Sequence, residues 1–127
     1  MRAMQSDIEL AITGLGNDRR ETLVGKIPRA YTVEDRSATP SGYGWVVRSE
    51  SSESSEEIST HLESFLKPLL PLAEAVRDCD CIMRIAIFPS VDLAMTTTTF
   101  SFSCLEVLRK FNAKLEVSVY PLDEESV

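Results

Sequence analysis

The chain predicts an α+β domain in which a mostly antiparallel five-stranded sheet carries two helices on one face. Two observations lead there. The helix-opening pattern Ser-x-x-Glu occurs twice, as Ser54-Ser55-Glu56-Glu57 and Ser103-Cys104-Leu105-Glu106, and each copy precedes an apolar helical stripe and then a strand. In such a box the serine hydroxyl caps a free backbone N–H, and the glutamate reaches back to the serine's own N–H. The second observation is strand-like patterning, strongest over 7–13, 82–88 and 114–120, on both sides of these helices. With 127 residues, 43% hydrophobic and 26% charged, one globular domain over 1–127 with a substantial core is expected.

The elements follow in chain order. In Asp7-Ile8-Glu9-Leu10-Ala11-Ile12-Thr13 the residues Ile8, Leu10 and Ile12 share one face, the pattern of a half-buried strand. Gly14-Leu15-Gly16-Asn17-Asp18 ends it. From 17 to 44 the periodicity is poor; Thr22, Leu23 and Val24 close a short helix ending at Gly25, and Pro28, Pro40, Gly42 and Gly44 interrupt the rest. Residues 44–50, Gly-Trp-Val-Val-Arg-Ser-Glu, read as a strand with Trp45 in the core. Behind the first capping box, Ile58, Leu62, Phe65, Leu66 and Leu69 form an amphipathic stripe. Pro68 has no N–H and crowds Ser64, so a break is expected near Lys67, with a second helical piece after Pro71 that buries Leu72 and Val76.

Ile82 to Phe88 is apolar on both faces except at Arg84, which predicts a largely covered strand. Four consecutive threonines place the next strand at 96–103, with Phe100 and Phe102 on one face. Cys104, Val107, Leu108 and Phe111 line a short helix that Asn112 ends in the left-handed conformation. Lys114 to Tyr120 is the last strand, with Leu115, Val117 and Val119 inward, before an acidic tail from Pro121. The order from 45 onward is the β-α-β-β-α-β of ferredoxin-like domains, with the strand at 7–13 as an addition. That topology puts 82–88 at an edge, against its apolar character; pairing with the first strand removes the conflict. The opposite sheet face then needs cover, from the 14–44 segment or from a second copy.

Composition narrows the chemistry. A net charge of −7 argues against nucleic-acid binding, which needs clustered Lys and Arg, and suits a basic partner. No apolar run has the length of a membrane span. The start of the chain lacks the apolar stretch of a secretory signal, and the three cysteines Cys79, Cys81 and Cys104 cannot all pair; together these predict a cytoplasmic location.

Few residues carry a chemical signature. His61 is the single histidine and is expected half-exposed beside the apolar stripe. Cys79-Asp80-Cys81 has the wrong spacing for a zinc site, and Gly14-Leu15-Gly16 lacks the third glycine of a phosphate loop. No cofactor or metal is expected. Cys104 sits in a helix's first turn, where a thiol can be activated, yet it also starts an apolar stripe. Arg84 needs a carboxylate or carbonyl partner, or must reach water along its own stem. Glu50, Glu53, Glu56, Glu57 and Glu63 crowd the first helix start. They complement its positive end or, as a functional alternative, form an acidic patch that docks a basic partner.

Three stretches carry a family resemblance. They are Leu23-Val24-Gly25-Lys26-Ile27-Pro28-Arg29-Ala30, then Trp45 to Ser49 followed by His61 to Leu66, and Phe111 to Tyr120. Together they resemble the Leu-Gly-x-x-Pro segment, the tryptophan strand with its helix, and the closing strand of the bacterial domain of unknown function 4279 family. Here Val24 separates the Leu and the Gly. The resemblance implies a small bacterial cytoplasmic protein of a kind found beside toxins as immunity proteins, and it carries over no catalytic residue.

The functional expectation is a non-enzymatic protein-binding domain, an immunity protein that neutralises a basic toxin domain through its acidic surface. A small-molecule sensor with a ligand between the sheet and the 14–44 segment is the first rival. An enzyme with Cys104 as nucleophile is the second. Fold analogy admits a homodimer.

Overall fold

Strand β1 (Gln5–Thr13) is central because it has an apolar face and partners on both edges. The computed structural model describes residues 5–14, 20–35, 44–49, 58–88 and 99–120. Its sheet runs β2 (Tyr31–Asp35), β3 (Trp45–Ser49), β1, β4 (Asp80–Phe88), β5 (Lys114–Val119). Every neighbouring pair is antiparallel except β4 and β5, which are parallel. The β1–β4 ladder extends from Gln5 opposite Phe88 to Thr13 opposite Asp80. The expected pairing of the first strand against the apolar 82–88 segment is therefore present, and it moves that segment from an edge to the interior.

The helices α1 (Arg20–Gly25), α2 (Ile58–Leu66), α3 (Leu70–Ala73) and α4 (Phe102–Lys110) complete the order. One core joins them to the sheet. Ile8, Leu10, Ile12, Trp45, Val47, Met83, Ile85 and Ile87 meet Leu62, Phe65, Leu66 and Leu72 from the α2–α3 region and Cys104, Val107 and Phe111 from the α4 region. The period-2 and period-3.6 stripes thus face one another, as burial of both requires. Pro68 interrupts α2 as expected: Lys67–Leu69 is a 3₁₀ turn, and Leu72 and Val76 beyond it are fully buried. Asn112 has φ 50° and ends the α4 segment.

Because β3 and β4 both run antiparallel to β1, they are parallel to each other with β1 between them, a split β-α-β unit. The full ferredoxin-like strand order is not what forms. The strand expected at 96–103 is absent where it can be judged: residues 99–101 are irregular and Phe102 opens α4. Residues 96–98 lie outside the described residues, as does the first capping box from Ser54 to Glu57. Conversely, β2 arises inside the 17–44 stretch that showed no periodicity. It is short and its sides are exposed or half-buried, and only its ladder with β3 defines it. Tyr31 anchors it by donating a 2.7 Å hydrogen bond to the Phe65 carbonyl and meeting the Phe65 ring edge-on.

The start of α4 also differs. Ser101, not Ser103, is the cap: its Oγ accepts from the Cys104 N–H at 3.1 Å. Ser59 of α2 holds the Ser101 N–H at 2.9 Å, so a tertiary contact selects between two serines of equal local merit. Glu106, expected in the box, instead lies 3.6 Å from Arg109.

Candidate functional site

The face of the sheet turned away from the helices carries a row of charges that the register lines up. Arg48 on β3 is opposite Glu9 on β1, Glu9 is opposite Arg84 on β4, and Arg84 is opposite Glu116 on β5. Signs alternate across four strands, the favourable arrangement for cross-strand pairs. Arg84 Nη1 lies 3.3 Å from Glu9 Oε1, and its Nε lies 3.2 Å from Glu116 Oε1. Arg48 bonds Asp7 Oδ2 at 2.9 Å and reaches Glu9 at 3.8 Å. Arg84, the lone charge in an apolar strand, therefore finds two carboxylates, one from each flanking strand. Glu9, with 18% of its side chain exposed, sits between two guanidinium groups.

Toward one end of this face the row gives way to apolar surface. Ala11 and Val46 point to this side and are nonetheless fully buried. Toward the other end, Phe88 and Tyr120 stack at 5.4 Å with their planes 17° apart, and both rings are substantially exposed. Between row and rings lies a hollow of about 280 Å³, bordered by Ala86 and Ser118. A larger open groove between α3 and α4 is lined mainly by long exposed side chains of both signs, among them Arg77, Glu106 and Arg109, and it has no aromatic residue.

Of the five glutamates expected to form an acidic docking patch, Glu50, Glu53, Glu56 and Glu57 lie outside the described residues. Glu63 lies on α2 with Oε2 3.4 Å from Lys67 Nζ. The Ser103 hydroxyl, helped by Lys67, holds its carboxyl below the usual carboxylate range. Its Oε1 is nevertheless buried without a hydrogen bond of ordinary geometry.

His61 is half-exposed, as expected, and its Nδ1 lies 2.8 Å from Ser6 Oγ. Either ring tautomer can make this bond, with the hydroxyl donating or accepting. The alternation of β1 shows Ser6 on the inward face, but nothing in the sequence pairs it with a residue 55 positions away.

The three thiols are buried. Burial, then Cys79 and Asp80, pushes the Cys81 thiol up to about 12. Burial also raises Cys104, against a smaller lowering by the Ser59 hydroxyl. Such thiols hold their protons at neutral pH, whereas a nucleophile needs the thiolate. Among the described residues no group of three or more His, Cys, Asp and Glu side chains could hold a metal ion. None of their helices is long and apolar enough to cross a membrane.

No family model matches the chain, and neither a curated protein nor a solved structure gives a match. The site therefore rests on its own chemistry. Arg48, Arg84, Phe88 and Tyr120 converge on one face beside three carboxylates, a combination able to exchange internal ion pairs for external ones while an aromatic pair supplies contact area.

Proposed function

We propose that this chain is a non-enzymatic protein-binding domain whose docking surface is the second face of the sheet. The observation that carries the reading is the meeting of two arginines and two exposed rings on one rigid strand platform. Arg, Tyr and Phe are enriched at protein interfaces, and rings with two χ angles lose little entropy on docking. The half-exposed pairs of the row cost little to exchange for a partner's charges. Buried, protonated thiols and a histidine engaged with Ser6 support a binding role over a cysteine-dependent one.

With a net charge of −7, the chain favours a basic partner through long-range attraction. The resemblance to the domain of unknown function 4279 family supports a bacterial immunity protein that neutralises a toxin as the specific form. The split β-α-β unit relates the domain to the ferredoxin-like plan.

Affinity capture from the native organism tests the proposal, using the wild type beside a Phe88→Ser/Tyr120→Ala double variant. The expected result is a protein retained at low salt by the wild type and lost by the variant. Recovery of no protein, or equal recovery by both, overturns it.

A second reading draws on the hollow itself, whose volume of about 280 Å³ approaches the lower limit for small-ligand pockets. A metabolite that raises the melting temperature of the wild type but not of the double variant would make the domain a sensor instead.

A further inference from the structure

Among the described residues β5 ends the sheet and no described strand pairs with its outer edge, and its two sides differ in a way that specifies what can pair there. The Tyr120 N–H bonds inward to the Ile87 carbonyl. Backbone groups alternate in direction along a strand, so Leu115, Val117 and Val119 present their N–H and C=O groups outward. The same three residues carry their side chains on the helix face, where Leu115 is partly buried but Val117 and Val119 are 43% and 54% exposed. They were expected inward as core; the edge position and the reach of α4 leave them half in water. α4 adds Phe102, 90% exposed, and Leu105, 41% exposed. The opposite edge, β2, is protected in the usual manner by charged Glu34 and Asp35.

We infer that β5 pairs antiparallel with the β5 strand of a second copy of this chain, on a two-fold axis at Val117. In that register Leu115 faces the second copy's Val119, Val117 faces its equivalent, and Val119 faces the second copy's Leu115. These are the residues with outward backbone groups, so each pair exchanges two N–H···O=C bonds while the apolar side chains close over one another.

On the other face Glu116 meets the second copy's Ser118, an acceptor against a donor, and Lys114 meets its Tyr120, an ammonium over a ring. Competing registers are worse. A shift of two residues one way sets Glu116 opposite its equivalent, like charge against like. The shift the other way sets Leu115 opposite Pro121, which has no N–H to donate. The result is a continuous ten-stranded sheet with both charged faces on the same side. The pairing brings Glu116, Ser118 and Tyr120 of the proposed docking face to its border, but its tests act on Val117 and Val119 of the helix side, so the two proposals fail separately.

Sedimentation equilibrium tests it. The wild type is expected at about 28 kDa, twice the 14.1 kDa chain, at concentrations of tens of micromolar, and Val117→Lys at the monomer mass with its melting temperature kept within ~2 °C. Val119→Lys is a second disrupting variant if the first folds poorly. Register is read by cysteine cross-linking with a short bismaleimide. Val117→Cys should be joined across the two copies, since Cα atoms of a hydrogen-bonded antiparallel pair are ~5.5 Å apart. Val119→Cys should not, because it faces leucine. The native thiols, being buried, stay silent. A wild type monomeric at ~200 μM, weaker than any stable homodimer, overturns the inference. So does a Val117→Lys dimer, or a dimer in which Val117→Cys fails to cross-link.

Discussion

Replacing Arg84 with methionine removes the guanidinium at the middle of the charged row while keeping most of the apolar stem. The ion pairs lost include those at 3.3 Å to Glu9 and 3.2 Å to Glu116. Arg84 has 33% of its side chain exposed and Glu116 has 46%, so each pair is screened and contributes ~0.2–1 kcal/mol. Glu9 is the more sheltered carboxylate, with 18% of its side chain exposed, and losing Arg84 adds ~0.5–1 kcal/mol for the weakened compensation of its burial. The total is a loss of about 1–3 kcal/mol, or roughly 3–12 °C in melting temperature for a chain of this size.

Urea titration reads it as a lower midpoint with an unchanged slope. About 1 M salt should remove at least half of the difference, because the Debye length falls to ~3 Å. A double-mutant cycle with Glu116→Gln should return a coupling of ~0.3–1 kcal/mol. An Arg84→Met protein as stable as the wild type would refute the reasoning. A deficit indifferent to salt would do the same, because the side chain would then act through packing alone.

Two further predictions address local chemistry. Ser101→Ala should cost ~1 kcal/mol, because it uncaps the Cys104 N–H and leaves Ser59 without its acceptor, whereas Ser103→Ala should cost less than about half of that; denaturant midpoints of the two variants decide which serine caps α4. The folded state holds a proton on Cys81 that the unfolded chain releases at its ordinary value of 9.0, so unfolding sheds protons and stability falls as pH rises above that value toward about 12. The slope per such thiol is at most ~1.4 kcal/mol per pH unit, and Cys81→Ala should flatten it. In the same vein, thiol reagents at neutral pH should label none of the three cysteines until denaturant opens the core. Rapid native labelling of Cys104 would restore the cysteine-enzyme reading.

Much of the architecture was legible because it depends on local periodicity. Ile8, Leu10 and Ile12 alternate, Ile58 to Leu69 repeats at helical spacing, Pro68 cannot continue a helix, and Asn112 tolerates a left-handed backbone; each expectation stands in the structure. The strand expectation failed over 99–103 because β propensity is a weak preference that context overrides, and these residues answer to the stripe of α4 and to Ser59. β2 was illegible since a short edge strand with mostly exposed sides has no pattern of its own; the ladder with β3 creates it.

The candidate site divides in the same way. Sequence alone determined that Arg84 required a carboxylate, a carbonyl or a path to water, that Glu9 shared a face with Asp7, and that Cys79-Asp80-Cys81 lacked metal-binding spacing, for these are properties of single residues and of fixed periods along the chain. Tertiary structure alone decided that Arg48, Glu9, Arg84 and Glu116 form one row and that Ser6 meets His61. It also decided that Val117 and Val119 lie at an open edge. The physical reason is that strand register and strand order join residues dozens of positions apart, and the balance that selects them is struck by burial of the whole core rather than by any local preference.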